Sequence, residues 1–167
     1  MEICYSAIAF MLIGSVLVVA VNYYNDQNAR HKKTIVLDQL RNSGKVIRLD
    51  VKSSARAVSF TSFQFLWQRA EVIFIENAVF YFGYFPLLFG RSRMYRGVAQ
   101  LSLQNANTPK LLSDSYSFII DSAKIDKNHL TIAYSRKNDI LPIKRAMTLV
   151  IDDTSKLEEI GQMLKAI

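Results

Sequence analysis

Cysteine is almost missing from this chain of 167 residues, with Cys4 as its single example. One cysteine forms no disulfide within the chain and supplies too few thiolates for a metal cluster. Histidine is nearly as scarce: His31 and His129 have no recognisable Asp or Ser partner in the sequence, and no His-x-x-x-His pair or calcium-loop pattern occurs. We therefore predict no metal site, no cofactor and no catalytic residue.

Charge is missing from the first part of the chain, because no Asp, Glu, Lys or Arg occurs from Ile3 to Tyr24. An apolar helix of this length spans about 30 Å, the thickness of the hydrocarbon core of a bilayer. We therefore predict a transmembrane anchor at residues 1–25. A cleaved secretory signal is the alternative, with Val18-Val19-Ala20 as its cleavage site. The anchor is favoured because Glu2 is the only charge before the run.

Positive charge follows the apolar run and does not precede it, as Arg30, Lys32 and Lys33 show. Cytoplasmic flanks of membrane spans collect Lys and Arg, so we expect a single-pass protein with its amino terminus outside and its large domain in the cytoplasm. A chance charge bias is the alternative, and it leaves the opposite placement open.

The rest of the chain is basic. The net charge is +7, and Glu2 and Asp26 contribute −2 to residues 1–26, so the remainder carries 7 + 2 = +9. A basic domain beside a bilayer predicts contact with anionic lipid headgroups. A membrane protein complex is the other expected partner. Because we recognise no nucleic-acid motif, we predict no nucleic-acid partner.

The pattern of apolar residues changes after Gly44. Residues 26–44 predict a juxtamembrane helix or linker that stops at Ser43-Gly44. Alternating or β-branched runs then predict short strands, at 47–52, 71–76, 78–85, 95–103, 116–120, 130–134 and 140–151. The phenylalanine-rich stretch 57–67 fits either a strand or a short helix.

The end of the chain has the pattern of an amphipathic helix. Ser155 and Glu158 have the spacing of a capping box. One apolar stripe follows, formed by Leu157, Ile160, Leu164 and Ile167. We expect this stripe to pack on an apolar surface.

This order of elements is similar to the pleckstrin-homology-like superfold, above all to its GRAM and bacterial members. The residues that carry the resemblance are the hairpin Ala70–Phe82, the segment Pro86–Arg93 and the helix after Asp153. The resemblance covers residues 45–167. It implies a mainly β, α+β domain: a small antiparallel barrel or sandwich closed by the terminal helix.

A basic and aromatic surface is the candidate binding site. Apolar side chains at a loop tip would enter the bilayer interface while arginines bind phosphates, the residues being Leu87, Leu88, Phe89, Arg91, Arg93 and Arg96. Arg30, Lys32 and Lys33 extend this surface beside the anchor. The alternative is that the aromatics fill a core and the arginines are solvated.

These features predict a binding or accessory module at a membrane surface, because they show no set of catalytic residues. The alternative is a small membrane-associated enzyme or transporter subunit that uses a pocket in the β domain.

Overall fold

The computed structural model describes residues 2–41, 44–58, 69–87, 92–104, 111–136 and 144–164, and these form two α-helices and a closed barrel of seven strands. The elements are α1 (Glu2–Leu40), β1 (Ile47–Val58), β2 (Arg69–Ile75), β3 (Ala78–Leu87), β4 (Ser92–Leu103), β5 (Ser117–Asp126), β6 (His129–Ser135), β7 (Lys144–Val150) and α2 (Thr154–Leu164). The predicted β-barrel is confirmed. The stretch 59–68, most of the ambiguous phenylalanine-rich segment, lies outside the described residues.

Six of the seven strand pairs are antiparallel, and β1 pairs with β7 to close the barrel. The exception is β4 with β5, which run parallel with Gln100 opposite Ser117 and Leu103 opposite Ile120. The expectation of an antiparallel barrel is therefore wrong at this pair. Residues 104–116 separate the two strands, and a parallel pair needs a crossover of about a dozen residues or more.

The β2–β3 hairpin turns at Glu76-Asn77, as the sequence predicts. Asn77 has a φ of 67°, in the left-handed region that Asn tolerates better than most residues. Strand alternation then separates two faces. Val72 and Phe74 point into the barrel, whereas Ile73 belongs to an apolar cluster on its outer face.

Helix α2 packs on the core inside the barrel. Leu157, Ile160 and Leu164 are buried in that core, which confirms this part of the predicted stripe, while Ile167 lies outside the described residues. The helix cap differs from the prediction. Asp153, not Ser155, caps the helix, because its Oδ1 accepts hydrogen bonds from the Lys156 amide at 3.2 Å and the Ser155 hydroxyl at 2.7 Å.

Helix α1 is one continuous element of 39 residues, and it includes most of the residues 26–44 of the predicted juxtamembrane helix. Its second half covers the outer face of the barrel. Ala29, Val36 and Leu40 are buried there in one cluster with Ile73 and Phe80.

The predicted transmembrane anchor at residues 1–25 is wrong. Within the part of the chain that the structure describes, no helix combines the length and the apolar character needed to cross a membrane. The helix instead continues past Asn22 into a polar and basic stretch, where Asp26 and Lys33 bind Tyr95 and Glu71 of the barrel. The predicted single-pass membrane location and the predicted orientation both depended on this anchor, so they are wrong as well.

Candidate functional site

A buried carboxylate lies where α1 crosses the outer face of the barrel. Glu71 on β2 is 1% exposed, although this face of the strand is otherwise apolar. Lys33 of α1 places its Nζ 2.5 Å from Glu71 Oε2, and the Tyr95 hydroxyl donates to the same oxygen at 2.9 Å. Arg48 forms an ion pair with Oε1, and Arg93 Nη1 lies 3.3 Å from Oε2. We call this set of five residues the seam cluster.

The seam cluster holds Glu71 in its charged form. Burial on its own would raise the pKa of Glu71. The hydrogen bond and charge of Lys33, the Tyr95 hydroxyl and the charge of Arg48 outweigh burial, so the pKa is lowered from its ordinary value. Glu71 is therefore a carboxylate at neutral pH, because the bound cations compensate for the loss of water.

Arg93 links the seam cluster to a second acid. Its Nη2 lies 2.6 Å from Asp50 Oδ2, and the Tyr84 hydroxyl donates to Asp50 Oδ1 at 2.5 Å. Burial and the Asp50 carboxylate raise the pKa of Tyr84. Asp50 and Glu71 are cross-strand partners on β1 and β2, so Arg93 reaches both from β4.

Helix α1 supplies its own acid to the same surface. Asp26 accepts a hydrogen bond from the Tyr95 backbone amide at 2.7 Å and pairs with Arg30 Nε at 2.8 Å. Arg30 also donates to the backbone carbonyl of Arg93. These contacts attach the middle of α1 to β4.

Aromatic rings complete this surface. The Tyr84 and Tyr95 rings lie 5.6 Å apart between centroids. Lys33 Nζ and the Arg30 guanidinium lie 4.8 Å and 5.3 Å from the Tyr95 centroid, and the Arg93 guanidinium lies 4.9 Å from that of Tyr84. These distances allow cation–π attraction, worth about 0.5–1 kcal/mol each where the cation is exposed.

No family matches. A scan of protein-family models finds none that fits this chain, and comparison with curated proteins finds no matching sequence. The resemblance to pleckstrin-homology-like domains therefore stays a prediction.

The structure brings together three of the predicted site residues, Arg30, Lys33 and Arg93, although Arg93 lies 63 positions after Arg30 in the chain. They bind carboxylates of this same chain. Lys32 lies apart, with its Nζ 3.5 Å from the Tyr116 centroid. Leu87 ends β3 opposite Ser92 and is exposed.

The remaining predicted site residues are not placed by the structure. Leu88, Phe89 and Arg91 lie outside the described residues, and for Arg96 only the backbone on β4 is described. The loop-tip hypothesis therefore rests on its sequence pattern alone.

Sequence reasoning missed Glu71 and Asp50, the two acids around which the basic residues gather. A signal for Glu71 was present. Glu71 is the only charged residue between Ala70 and Ile75, and the other residues of this stretch are all apolar. A single acid in a run that is buried on both faces predicts a buried ion pair, because an unpaired buried charge is too costly.

Neither histidine belongs to the seam cluster. His31 and His129 are both exposed, and His129 faces Asp126 across the β5–β6 turn. Among the described side chains, no group of three or more His, Cys, Asp or Glu residues is arranged to hold a metal ion.

Proposed function

We propose that this chain is a binding module that binds another protein through residues Phe10–Val21 of α1, here called the apolar segment. The observation that carries this proposal is the exposure of its side chains. Its large residues are between 57% and 81% exposed: Phe10, Met11, Leu12, Ile13, Val16, Leu17, Val18, Val19 and Val21. Single exposed apolar residues are ordinary, but a continuous patch of this kind marks an interaction site.

The apolar segment is apolar around its whole circumference. Phe10 and Val19 are nine residues apart, which puts them on opposite sides of a helix that turns about 100° per residue. They are 81% and 67% exposed. A helix that is hydrophobic on all sides is normally buried among other elements, so a single flat surface would leave part of it exposed.

The second half of α1 presents the apolar segment in a fixed direction. Val36 and Leu40 are buried on the barrel, and Asp26 and Lys33 bind Tyr95 and Glu71. A segment that is already helical and held at its base loses less conformational entropy on binding. The seam cluster thus supports the proposal by holding the helix, not by offering its cations to a ligand.

The partner that fits this segment is a protein with an apolar groove formed by two or more helices. The segment has no charge from Phe10 to Val21, so it has nothing to pair with a charged groove. A second copy of this chain fits less well, because each copy carries a net charge of +7 and like charges repel.

Photocrosslinking in cells tests the proposal. The photoreactive residue p-benzoylphenylalanine replaces Phe10 in one variant of the full chain, Val19 in a second and exposed Lys124 on β5 in a control. We expect one protein to crosslink from both helix positions and not from position 124. That protein is identified by mass spectrometry and purified, and its binding to the full chain is then reconstituted.

A charge in the middle of the apolar segment sharpens the test. Leu17→Glu should weaken the reconstituted complex at least about tenfold, since a buried carboxylate would have no partner. Asn25→Glu, on an exposed position of the same helix, should leave it unchanged. Crosslinks to lipid alone, to a second copy of the chain, or to different proteins from the two positions would overturn the proposal.

A further inference from the structure

Strand β5 extends beyond the end of its neighbour β4. The two strands pair only through Gln100–Leu103 and Ser117–Ile120, and β4 ends at that point. Residues 122–126 of β5 pair with β6 on one side, and no strand among the described residues pairs with their other side. We call this other side of residues 122–126 the β5 edge. An unpaired strand edge can pair with a strand of another chain.

The β5 edge is open to solvent. Every residue from 122 to 126 is exposed except Ala123, which is partly buried. Ile125 is 41% exposed, although one side of it lies against Gly161 of α2. Covering this apolar side chain would favour association at the edge, because burial of apolar surface is favourable.

The β5–β6 turn decides which backbone groups face the β5 edge. The turn has two residues, and Asp126 pairs with His129 where it closes. A two-residue turn closes on a pair that exchanges two hydrogen bonds, and hydrogen-bonded and non-hydrogen-bonded pairs then alternate along the ladder. Asp126 therefore directs its amide and carbonyl toward β6. Ile125 and Ala123 direct theirs toward the β5 edge.

We propose that two copies of this chain pair antiparallel through their β5 edges, with Ile125 of one copy opposite Ile125 of the other on a two-fold axis. The two Ile125 residues exchange a pair of backbone hydrogen bonds. Lys124 of each copy lies opposite Asp126 of the other, with Cβ atoms about 5 Å apart, so two pairs of opposite charges form. The β5 edge is thus complementary to itself, as a two-fold interface requires.

Charge and strand geometry select this register. Backbone hydrogen bonds form only where residues that face the β5 edge lie opposite each other. Pairing Ile125 with Ala123 would place Lys124 opposite Lys124, and like charges directly opposite each other are destabilising. Centring the pairing on Ala123 would place Ile125 opposite Asp121, where β5 bulges and its ladder is disrupted. The register centred on Ile125 avoids both problems.

The net charge of +7 opposes a dimer, but the β5 edge differs from the apolar segment in having charges that offset it. Lys124 and Asp126 are exposed, and neither forms an ion pair with another described residue. Their opposite charges meet at the contact, whereas charges more than about 8 Å apart are largely screened at physiological ionic strength. Because the edge is short, we expect a weak dimer, with a dissociation constant of about 10–100 μM.

Analytical ultracentrifugation of the full chain tests the proposal between about 5 and 500 μM, a range chosen to bracket this dissociation constant. We expect a monomer–dimer equilibrium. Lys124→Glu and Asp126→Lys should each weaken the dimer at least about tenfold, because each places two pairs of like charges across the axis.

An equal mixture of these two variants should form a dimer again. The glutamate introduced at position 124 then faces the lysine introduced at position 126, and the remaining Lys124 faces the remaining Asp126. Recovery in the mixture also shows that both variants are folded.

Matched controls carry the same change of charge away from the β5 edge. Lys52→Glu and Glu76→Lys replace exposed residues on β1 and in the β2–β3 turn, and they should leave the dimer unchanged. Repeating each measurement in the Leu17→Glu background separates this inference from the proposed function, because the apolar segment contributes nothing to the β5 edge. The dimer should persist in that background.

Four results would overturn the proposal. The chain stays monomeric at the highest concentration, both charge-reversal variants keep the dimer, their mixture does not recover it, or Leu17→Glu abolishes it. The last result would assign self-association to the apolar segment.

Discussion

Lys33 of α1 and Glu71 of β2 lie 38 positions apart in the chain, and their charged groups are 2.5 Å apart at a site where Glu71 is almost fully buried. The pair joins the long helix to the barrel. Because Arg48 and Arg93 share the same carboxylate, one side chain on β2 organises cations from α1, β1 and β4.

Replacing Glu71 should destabilise the protein strongly. Glu71→Gln removes the common anion and leaves Lys33, Arg48 and Arg93 without it, and loss of one partner of a buried ion pair costs about 3 kcal/mol or more. Denaturation by urea measures the change in the free energy of unfolding. Glu76→Gln is the matched control, because Glu76 is exposed in the adjacent turn and should change stability little. Equal effects of the two substitutions would show that the seam cluster does not hold α1.

Acid should weaken the protein through the same residue. The pKa of Glu71 is lowered from 4.5 in the folded state, so its stabilising effect is complete above that value and is lost as the pH falls through the folded-state pKa. Urea midpoints at pH 7 and at pH 3 measure this loss. Glu71→Gln should lose less stability between the two pH values than the wild type, since it has no carboxylate to protonate. A loss as large in the variant would assign the acid sensitivity to other groups.

Two neighbouring residues of α1 test which face of the helix packs on the barrel. Val36 is fully buried and Ile35 is 36% exposed. Val36→Ala removes two buried carbons and leaves a cavity, so we expect a loss of about 2 kcal/mol in the free energy of unfolding. Ile35→Ala should cost less than about 1 kcal/mol. A larger cost at Ile35 would mean that the helix is rotated about its axis.

Gly161 in α2 offers a stabilising substitution. A Cβ added there would lie 2.8 Å from Ile125 Cδ1, the end of a flexible side chain that is 41% exposed and can move aside. Since alanine is favoured over glycine within a helix by about 1 kcal/mol, Gly161→Ala should stabilise the protein by about 0.5 kcal/mol after this adjustment. Gly161→Leu should destabilise it, because the larger side chain cannot fit beside Ile125. A destabilised alanine variant would show that Ile125 is held rigidly.

The sequence predicted the elements that depend on near neighbours. The β2–β3 hairpin follows from two β-branched and aromatic runs around Glu76-Asn77, and α2 follows from the spacing of Leu157, Ile160 and Leu164. The same local patterns did not predict the seam cluster. Two of its cations, Lys33 and Arg93, were predicted to bind an external partner, because their acids Glu71 and Asp50 lie on other elements and no spacing along the chain indicates which elements will meet.

For the apolar segment, too, the local pattern could be predicted from the sequence but its place in the fold could not. Its composition was evident from the chain, but its interpretation as an anchor was wrong, because one helix continues past Asn22 and packs on the barrel through Val36 and Leu40. Only the structure showed where the packed half begins.

Local patterns alone determined that this chain is mainly β with an amphipathic helix at its end, because strand alternation and helical periodicity are properties of consecutive residues. The tertiary structure decided that Lys33, Arg48 and Arg93 neutralise Glu71 and that Arg136 and Arg145 meet at Phe118. Charges interact through space, so their partners are set by how the barrel closes and by which of its faces α1 covers.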